Sequence, residues 1–335
     1  MFPYLLRRLG YLVFVVWGVS FAAFFIAQVI PGDPAAAALG SNAREAQLEA
    51  YRQEMGLDQP IWVQYGRYSS RLLQGDFGTS LRTRRSIAAD LRDFFPATLE
   101  LTLAAMLFAI LFGLPTGFLA AIYQDTALDV GVRTAALLGG ATPIYWLAIL
   151  AISLFHTRLG WLPGPGRLDA FLIPPPEVTN FMTVDTLLAG DGPAFVDALR
   201  HLILPALVLG TFSTALLARM VRNTMIEVLS QDYIRTARSK GIGAWGVIVK
   251  HGFRNAALPI LTVLGNLLGS LLTGAVLTET IFSWPGIGSY ATSSAVSLDF
   301  PAVMGVTLVA GLTYAGINLL VDMLYAFFDP RISYA

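Results

Sequence analysis

Long apolar stretches recur along this chain and are separated by connections that carry most of its charged residues. Six stretches are apolar on every face for about twenty residues or more; they cover residues 9–30, 99–123, 134–156, 202–220, 260–282 and 302–327. A helix rises about 1.5 Å per residue, so each could cross a hydrocarbon core of about 30 Å. Pro115, Pro143 and Pro205 lie inside them, and membrane helices tolerate proline where neighbours satisfy the freed carbonyl. The pattern predicts an all-α, polytopic membrane protein with six transmembrane helices.

Composition favours a membrane protein over a soluble one. Of the 335 residues, 55% are hydrophobic and 13% are charged, whereas soluble chains carry about 25% charged residues. The absence of cysteine excludes disulfides and thiolate metal sites, and the net charge of zero argues against nucleic-acid binding. The first apolar stretch is too long for a signal peptide and no cleavage site follows promptly, so we expect a retained helix anchored by Arg7 and Arg8.

The charges of the connections predict the orientation. Residues 221–259 carry six basic and two acidic residues, whereas residues 157–201 carry three arginines and five acids. Short positive loops stay in the cytoplasm, so we expect 221–259 and both chain ends there, although the connection 124–133 on the same side leans acidic. Residues 31–95, with eight arginines and eight acids, are expected to form a large extracytoplasmic loop. The predicted organisation is a tip and first helix over 1–30, this loop, and a membrane core over 96–328.

One stretch of the basic connection, "DYIRTARSKG", has the pattern of an ordered helix. It predicts a helix over 232–240, with Asp232 favourable at the N-terminus and Gly241 as the left-handed end. Ile234, Ala237 and Gly241 form a narrow stripe of apolar or small residues, flanked by Arg235, Arg238 and Lys240. A second helical piece over 244–257 leads to Pro259. Such a knob suits docking into a groove of another protein, while an interfacial helix would explain the charge equally well.

This stretch resembles the cytoplasmic coupling loop of binding-protein-dependent ABC importer permeases. Their pattern is Glu-Ala-Ala, three residues, a glycine, and later Leu-Pro; this chain has Arg235-Thr236-Ala237, Gly241 and Leu258-Pro259. Its departures from that pattern are similar to the dipeptide/oligopeptide branch. The stretches that resemble the first permease subunit of that branch, in order, are "RRLGYLVFVVWGVSFAAFFIAQVIPGDP", "GLDQPIWVQYGRY", "GDFGTSL", "PATLEL", "LTETIFSWPGIG" and "NLLVDMLYAFFDPRI". The resemblance implies the type I ABC importer permease fold, with residues 96–328 as its core.

The resemblance also implies a subunit that catalyses no reaction and imports dipeptides or short oligopeptides across the bacterial cytoplasmic membrane. Its implied partners are a second homologous permease, two ATP-binding subunits that hold ATP and Mg²⁺, an extracytoplasmic peptide-binding protein and membrane lipid. No cofactor or metal is expected in the chain itself, since Lys240 and Lys250 follow Ser239 and Val249 and neither completes a P-loop. The residues expected to couple to the ATPase are Asp232, Arg235, Thr236, Ala237, Arg238, Lys240 and Gly241, with Ala237 and Gly241 permitting close approach.

Polar residues on the fifth apolar stretch are candidates for the substrate path. Asn266, Ser270 and Thr273 recur at helical spacing and could pair with a peptide backbone. Small polar residues also mediate helix packing in membranes, which explains the same spacing without a substrate.

Three acids lie inside or near the apolar stretches, where an acid is expensive and tends to be paired or functional. Glu100 lies near the start of the second stretch, Glu279 near the outer end of the fifth and Asp322 in the sixth. Glu279 could meet a peptide amino terminus, and we include it in the candidate path. Asp322 is expected to pair with an arginine such as Arg219.

Two other classes are less favoured. An intramembrane enzyme would need a metal motif, a Ser/His pair or two buried aspartates, and His156, His201 and His251 lack metal-binding spacing. An ion-coupled carrier would show ionisable groups near the middle of the membrane, or an inverted repeat, and neither is evident. Within the importer class, nickel and glutathione permeases remain alternatives to a dipeptide permease.

Overall fold

The structure, a computed structural model, describes residues 2–29, 34–39 and 43–328. These ranges are mostly helical and contain no β-strand beyond one antiparallel bridge between Thr79 and Ser86. The helices are α1 (Phe2–Val29), α2 (Pro34–Leu39), α3 (Glu45–Met55), α4 (Ile61–Leu73), α5 (Ile87–Ile122), α6 (Ala127–Ala141), α7 (Ile144–Ala151), α8 (Met182–Leu188), α9 (Gly192–Leu229), α10 (Asp232–Ser239), α11 (Ala244–Gly246), α12 (Arg254–Gly274), α13 (Val276–Ile281), α14 (Ile287–Val296) and α15 (Phe300–Phe328). π-Helical turns extend α7 over Ile152–Arg158 and join α11 to α12 over Val247–Phe253. The all-α prediction is confirmed.

The described residues divide into two compact units, one within residues 2–97 and 285–316 and the other of residues 98–284 and 317–328. In the first unit, the start of α5 packs against α14 and the start of α15. The buried residues of this core are Ile87, Leu91, Ile287, Tyr290, Ala302 and Val306.

Two buried carboxylates fix the connection between α4 and α5 in the first unit. Asp299 accepts hydrogen bonds from Ser80 Oγ at 2.5 Å and from the Arg82 backbone nitrogen at 3.2 Å. Asp90 accepts from Thr83 Oγ1 at 2.6 Å and from the Tyr290 hydroxyl at 3.0 Å. Burial, together with the neighbouring Asp90 carboxylate, raises the pKa of Tyr290, so its hydroxyl stays protonated and donates.

In the second unit, two glycines let α5 and α9 approach closely. A Cβ atom added to Gly117 would lie 2.4 Å from the backbone oxygen of Ala218, and one added to Gly113 would lie 3.1 Å from that of Thr214. Membrane helices use small residues in this way because van der Waals contact between backbones drives their association. The glycines of the second apolar stretch therefore have a packing role.

Four of the described helices are long and apolar enough to cross a membrane: Ile87–Ile122, Gly192–Leu229, Ala244–Thr273 and Phe300–Tyr325. The pair Ala127–Ala141 and Ile144–Arg158 passes the same test only when taken together. The described apolar part of α1, Gly10–Ile26, is shorter. The described residues thus provide four spans, or five with the pair, and the sixth span and the orientation of loops and chain ends stay predictions.

The third predicted span, over 134–156, is not one continuous helix. It bends by 99° between α6 and α7. Pro143 has no N–H to continue the helical ladder and disfavours the helical conformation at the residue before it; Thr142 accordingly has ψ of 125°. Pro205 and Pro259, by contrast, lie inside continuous helices. The expectation of one continuous helix through Pro143 is therefore wrong, while α6 and α7 together still pass as one broken span.

Helix ends also differ from the predicted ones. α9 continues to Leu229, well into the connection predicted over 221–259, and α12 begins at Arg254, so Pro259 does not mark the entry of a new helix. α5 begins at Ile87, inside the predicted loop over 31–95. Hydropathy marks the apolar middle of a helix and cannot show how far its polar ends continue.

Candidate functional site

A cavity of about 610 Å³ opens within the second unit where three helical segments meet. The bend between α6 and α7 supplies residues 140–144, and the other walls come from α9 between Leu209 and Met220 and from α12 between Val263 and Leu271. The described lining carries no charged side chain, and its polar residues are Thr142, Ser213, Asn266 and Ser270. An apolar cavity with a few polar groups is typical of sites that hold small molecules by shape and by oriented hydrogen bonds.

The structure places two of the four predicted path residues at this cavity. Asn266 and Ser270 line it, and the Asn266 amide makes no hydrogen bond to any of the residues that the structure describes. Thr273 lies beyond the lining, and its hydroxyl donates to the Gly269 carbonyl at 3.1 Å. The cavity therefore extends along only part of the predicted stripe.

The position of Glu279 contradicts the expectation that it meets a peptide amino terminus. Its side chain is fully buried on α13 and accepts a hydrogen bond from Thr98 Oγ1 at 2.6 Å. A carboxylate without solvent access cannot meet a peptide amino terminus in this conformation. The physical reason is the break after Gly274: α13 is a separate short helix, so the helical spacing that relates Asn266 and Ser270 to one face does not continue to Glu279.

Sequence reasoning missed the part of the lining that lies outside α12. Its polar residues are Ser213 and Thr142, and the Thr142 hydroxyl donates to the Leu138 carbonyl at 2.6 Å. Phe212, Leu216 and Met220 supply much of the apolar wall on α9. The Thr142-Pro143 pair was a usable signal, since an X-Pro step can open a helix and leave backbone groups facing a cavity. The lining residues of α9 carry no such signal. All faces of an apolar helix have similar residues, so the sequence does not show which face lines a cavity.

The basic segment, residues 230–253 between α9 and α12, begins with α10 as predicted. α10 spans Asp232–Ser239, and Gly241 follows with φ of +77°. Such a left-handed conformation favours glycine, because a side chain would meet the backbone. A Cβ atom at Gly241 would meet nothing within 4 Å, so within this chain glycine is required by the backbone conformation and not by a close contact.

The predicted docking stripe faces the interior of the chain. Ile234 and Ala237 are buried against Leu229, Ile242 and Val247. Ala237 therefore cannot permit close approach of a partner, and this expectation is wrong. The residues of α10 and its end that are exposed are Asp232, Tyr233, Arg235, Thr236, Arg238, Ser239, Lys240 and Gly241. An amphipathic helix buries its apolar face first, and here the chain itself provides that core.

The polar face of α10 is stabilised by little beyond one weak ion pair among the described residues. Arg235 and Asp232 approach to 3.5 Å with side chains that are 78% and 95% exposed, and such a pair contributes almost nothing to stability. Phe118 of α5 anchors the other end of the basic segment through edge contacts with Trp245 and Phe253, at centroid distances of 6.3 and 6.0 Å. The segment is thus attached on its apolar side and open on its basic side.

The buried acid Glu100 is part of an ion pair. Its carboxylate accepts from Arg167 at 2.6 Å and from the Thr183 hydroxyl and backbone nitrogen at 2.6 and 2.8 Å. The Arg167 guanidinium also lies over the Trp284 ring at 5.4 Å. These contacts hold the irregular connection after the π-helical turn of α7, and they give Glu100 a structural role.

The expected pair between Asp322 and Arg219 is absent from the described residues, in which Arg219 makes no salt bridge. Arg219 instead lines a second cavity beside α6. No group of three or more His, Cys, Asp or Glu side chains that could hold a metal ion occurs in the part of the chain that the structure describes.

A cavity at a broken membrane helix, joined to an exposed basic segment, is an arrangement expected of a transport protein. The family described as "Binding-protein-dependent transport system inner membrane component" matches residues 113–334, and "Binding-prot-dependent transport system membrane comp, N-term" matches residues 1–102. The chain belongs to this family of inner membrane components of binding-protein-dependent transport systems. It is a multi-pass inner membrane protein.

Its relatives include named permeases of peptide transport systems. The chain is 50% identical to the probable D,D-dipeptide transport system permease protein of Escherichia coli (strain K12), over 97% of this chain and 96% of the relative. It is 46% identical to the di/tripeptide transport system permease protein of Pseudomonas aeruginosa (strain UCBPP-PA14), over 99% of both chains. A glutathione transport system permease protein of Escherichia coli O1:K1 / APEC is 36% identical over the full length of both.

Among solved structures, one of the inward facing conformations of the MetNI methionine ABC transporter is similar in fold. The TM-score is 0.50 at 15% sequence identity, and the match covers 70% of this chain and 93% of that chain. At this identity the similarity concerns the fold alone. It agrees with the expected permease fold of ABC importers.

Proposed function

We propose that this chain is the permease subunit of an ATP-driven importer that passes dipeptides or short oligopeptides through the cytoplasmic membrane. The family and the peptide permeases among the relatives support this function. The proposed orientation places the basic segment and both chain ends in the cytoplasm and residues 31–95 outside. The proposed partners are a second homologous permease, two ATPase subunits that bind ATP and Mg²⁺, and an extracytoplasmic peptide-binding protein.

One observation carries the mechanism: the exposed basic helix is joined directly to two walls of the large cavity. α9, which lines the cavity up to Met220, ends at Leu229, and α10 begins at Asp232. After α10, the π-helical turn Val247–Phe253 runs straight into α12, which carries Asn266 and Ser270. A displacement of α10 by a partner would therefore reach both walls across two short connections, residues 230–231 and 240–243, which is the coupling that an importer needs.

The ATPase is proposed to contact the exposed face of α10, formed by Arg235, Thr236, Arg238, Lys240 and Gly241. Arginine and lysine side chains there can pair with acidic residues at the rim of a groove and fix the register of docking. Ala237 supports this face from beneath by packing onto Leu229 and Val247. Its role is to transmit the displacement to the rest of the second unit.

The substrate path is proposed to pass Asn266 and Ser270. A peptide backbone presents both donors and acceptors, and an asparagine amide or a hydroxyl can satisfy either. The uncharged lining tolerates different side chains because it places no fixed charge against them. Thr142 and Ser213, on the opposite walls, complete the set of polar groups that a bound peptide would meet.

The proposed function is tested by the ATPase activity of the assembled complex in lipid nanodiscs. A dipeptide-loaded binding protein is expected to stimulate ATP hydrolysis several-fold, and the unloaded binding protein much less. Stimulation only by nickel-loaded or glutathione-loaded protein would refute the peptide assignment and leave the permease assignment standing. Hydrolysis of ATP by this chain alone would refute the proposal that separate ATPase subunits supply the energy.

The docking face is tested by reversing charges. Arg235→Glu with Arg238→Glu is expected to weaken assembly with the ATPase at least tenfold, since two rim contacts become repulsive. Arg158→Glu is the matched control, because Arg158 is also exposed and is proposed to lie on the opposite side of the membrane. Equal assembly of all three proteins would show that the ATPase binds elsewhere.

The path is tested on α12. Asn266→Leu is expected to lower peptide uptake about fivefold, the effect of one lost hydrogen bond of about 1 kcal/mol. Thr273→Val, on the same helix but beyond the cavity lining, is the control and is expected to transport normally. If Thr273→Val impaired uptake and Asn266→Leu did not, the cavity would not be the path.

A further inference from the structure

A second, smaller cavity of about 180 Å³ lies between α6 and α9 in the second unit. The apolar residues of its lining are Val132, Ala136, Leu137 and Ala218. The polar residues of the lining are three arginines and an asparagine: Arg133, Arg219, Arg222 and Asn223. The lining therefore combines apolar residues with three positively charged ones. The transport mechanism proposed above makes no use of it.

The charge of this cavity is only partly neutralised. Arg222 forms a two-point ion pair with the buried carboxylate of Asp129, at 2.5 Å from Nε to Oδ1 and 2.7 Å from the second nitrogen to Oδ2. Arg133 lies 3.5 Å from the same carboxylate with its side chain 47% exposed. Arg219 is exposed and makes no ion pair within the described residues. Asp125 also lies near Arg222 but does not line the cavity.

The Asp129 carboxylate therefore contacts two of the three arginines, Arg222 and Arg133, and Arg219 has no ion-pair partner among the described residues. This excess of positive charge could be balanced by one further anion. Guanidinium groups bind the oxygens of phosphate in a planar, two-point geometry, which makes arginine the preferred residue for such anions. Arg222 is fixed in place by Asp129, whereas Arg133 and Arg219 come from facing helices and can close on a ligand from two sides. The arginines of the lining thus have the chemistry of a phosphate site.

The apolar residues of the lining favour a lipid phosphate over a soluble one. Leu137 of the lining and its neighbour Leu138 are 62% and 65% exposed on α6, a surface suited to an acyl chain. Both helices belong to segments that are apolar enough for a membrane. In the orientation proposed above, the arginines lie at the cytoplasmic end, where the leaflet is rich in anionic lipid and basic pockets between helices bind headgroups. We propose that this cavity binds the phosphate of one anionic phospholipid, with an acyl chain along Leu137.

The proposal is tested on the full transporter complex in detergent by native mass spectrometry with added phosphatidylglycerol. The wild-type complex is expected to retain phosphatidylglycerol in preference to phosphatidylcholine. Arg133→Gln and Arg219→Gln are expected to weaken that binding about fivefold each, and about 30-fold together, from the surface electrostatic contribution of one basic residue. Arg254→Gln, an exposed arginine outside the cavity, is the control and is expected to bind as wild type.

The absence of native cysteine permits a second measurement at the cavity itself. In an Asn223→Cys variant, phosphatidylglycerol is expected to slow labelling by a water-soluble thiol reagent, and phosphatidylcholine is not. Protection by inorganic phosphate to the same extent would show a site for a soluble anion and overturn the lipid assignment. Protection in the complex without any lipid would show that a partner subunit covers the cavity, which also overturns it. Unchanged lipid binding in the double arginine variant would exclude these residues as the site.

Discussion

The ion pair between Glu100 and Arg167 allows the sharpest stability prediction. Its side chains are 5% and 10% exposed, and the separation of 2.6 Å allows direct charge-assisted hydrogen bonding. Glu100→Gln keeps the size of the side chain and an acceptor for Thr183, but it leaves the Arg167 guanidinium buried without its counter-charge. The nitrogen Nε of Arg167 already lacks a partner among the described residues. The remaining contacts, to the Asn180 carbonyl and the Trp284 ring, do not neutralise it.

The expected loss is about 3 kcal/mol, the lower end of the range for removing one partner of a buried ion pair, because the Thr183 contacts survive. An unfolding entropy of about 2.1 cal/mol/K per residue gives about 0.7 kcal/mol/K for a chain of this length, so the melting temperature should fall by about 4 °C. The assay is thermal unfolding of the purified chain in one detergent. Glu177→Gln changes an exposed acid of the same connection and should shift the melting temperature by less than about 1 °C.

The double variant Glu100→Gln with Arg167→Met completes the test. Removing both charges abolishes the uncompensated guanidinium, so the double variant should be more stable than Glu100→Gln alone. The reasoning fails if Glu100→Gln melts within 1 °C of the wild type. It also fails if the losses of the two single variants add in the double variant, since additivity would mean that the two side chains do not interact.

Two further predictions concern glycines with matched controls. Gly117→Ala should destabilise the chain by about 1–3 kcal/mol, because the new Cβ would lie 2.4 Å from the Ala218 backbone oxygen and neither helix can easily yield. Gly131→Ala is the control: it has nothing within 4 Å and should stabilise the chain by up to about 1 kcal/mol. The opposite order of melting temperatures would contradict the close packing of α5 on α9. Gly241→Ala should strain the left-handed end of α10 by about 1 kcal/mol and speed hydrogen exchange over residues 232–241, whereas Gly243→Ala, at φ of −59° with no close neighbour, should leave exchange unchanged. Equal exchange in both would show that the end of α10 does not depend on glycine.

Local patterns predicted several elements correctly because the interactions behind them act within one or two turns of helix. The helix over 232–240 and its end at Gly241 follow from a first-turn acid and a glycine, both of which act within one or two turns. Asn266 and Ser270 share a face of α12 because they are four residues apart, and the structure places that face on the cavity. Predictions of this kind need no knowledge of the neighbouring helices.

Predictions that depended on the neighbour of a helix face were less successful. The stripe of Ile234 and Ala237 was expected to dock onto another protein, but it packs against the chain itself. Glu279 was expected near the path because of its position in the sequence. In the structure it lies on α13, where its buried carboxylate accepts a hydrogen bond from Thr98. In each case the sequence showed what kind of surface a residue provides and not which surface it meets.

The sequence by itself therefore determined the all-α membrane class, the basic segment expected to meet a partner, and the resemblance to ABC importer permeases. Hydropathy, charge and short motifs are all read within a few turns of helix. Only the tertiary structure decided that the third apolar stretch bends at Pro143, that Glu100 pairs with Arg167, and that Asp129 pairs with Arg222, which lies 93 residues away. Such pairings are set by how helices pack, and in a membrane every apolar face has nearly the same affinity for lipid. Packing between small residues and a few buried charges then selects the arrangement, and both depend on contacts that no single stretch of sequence contains.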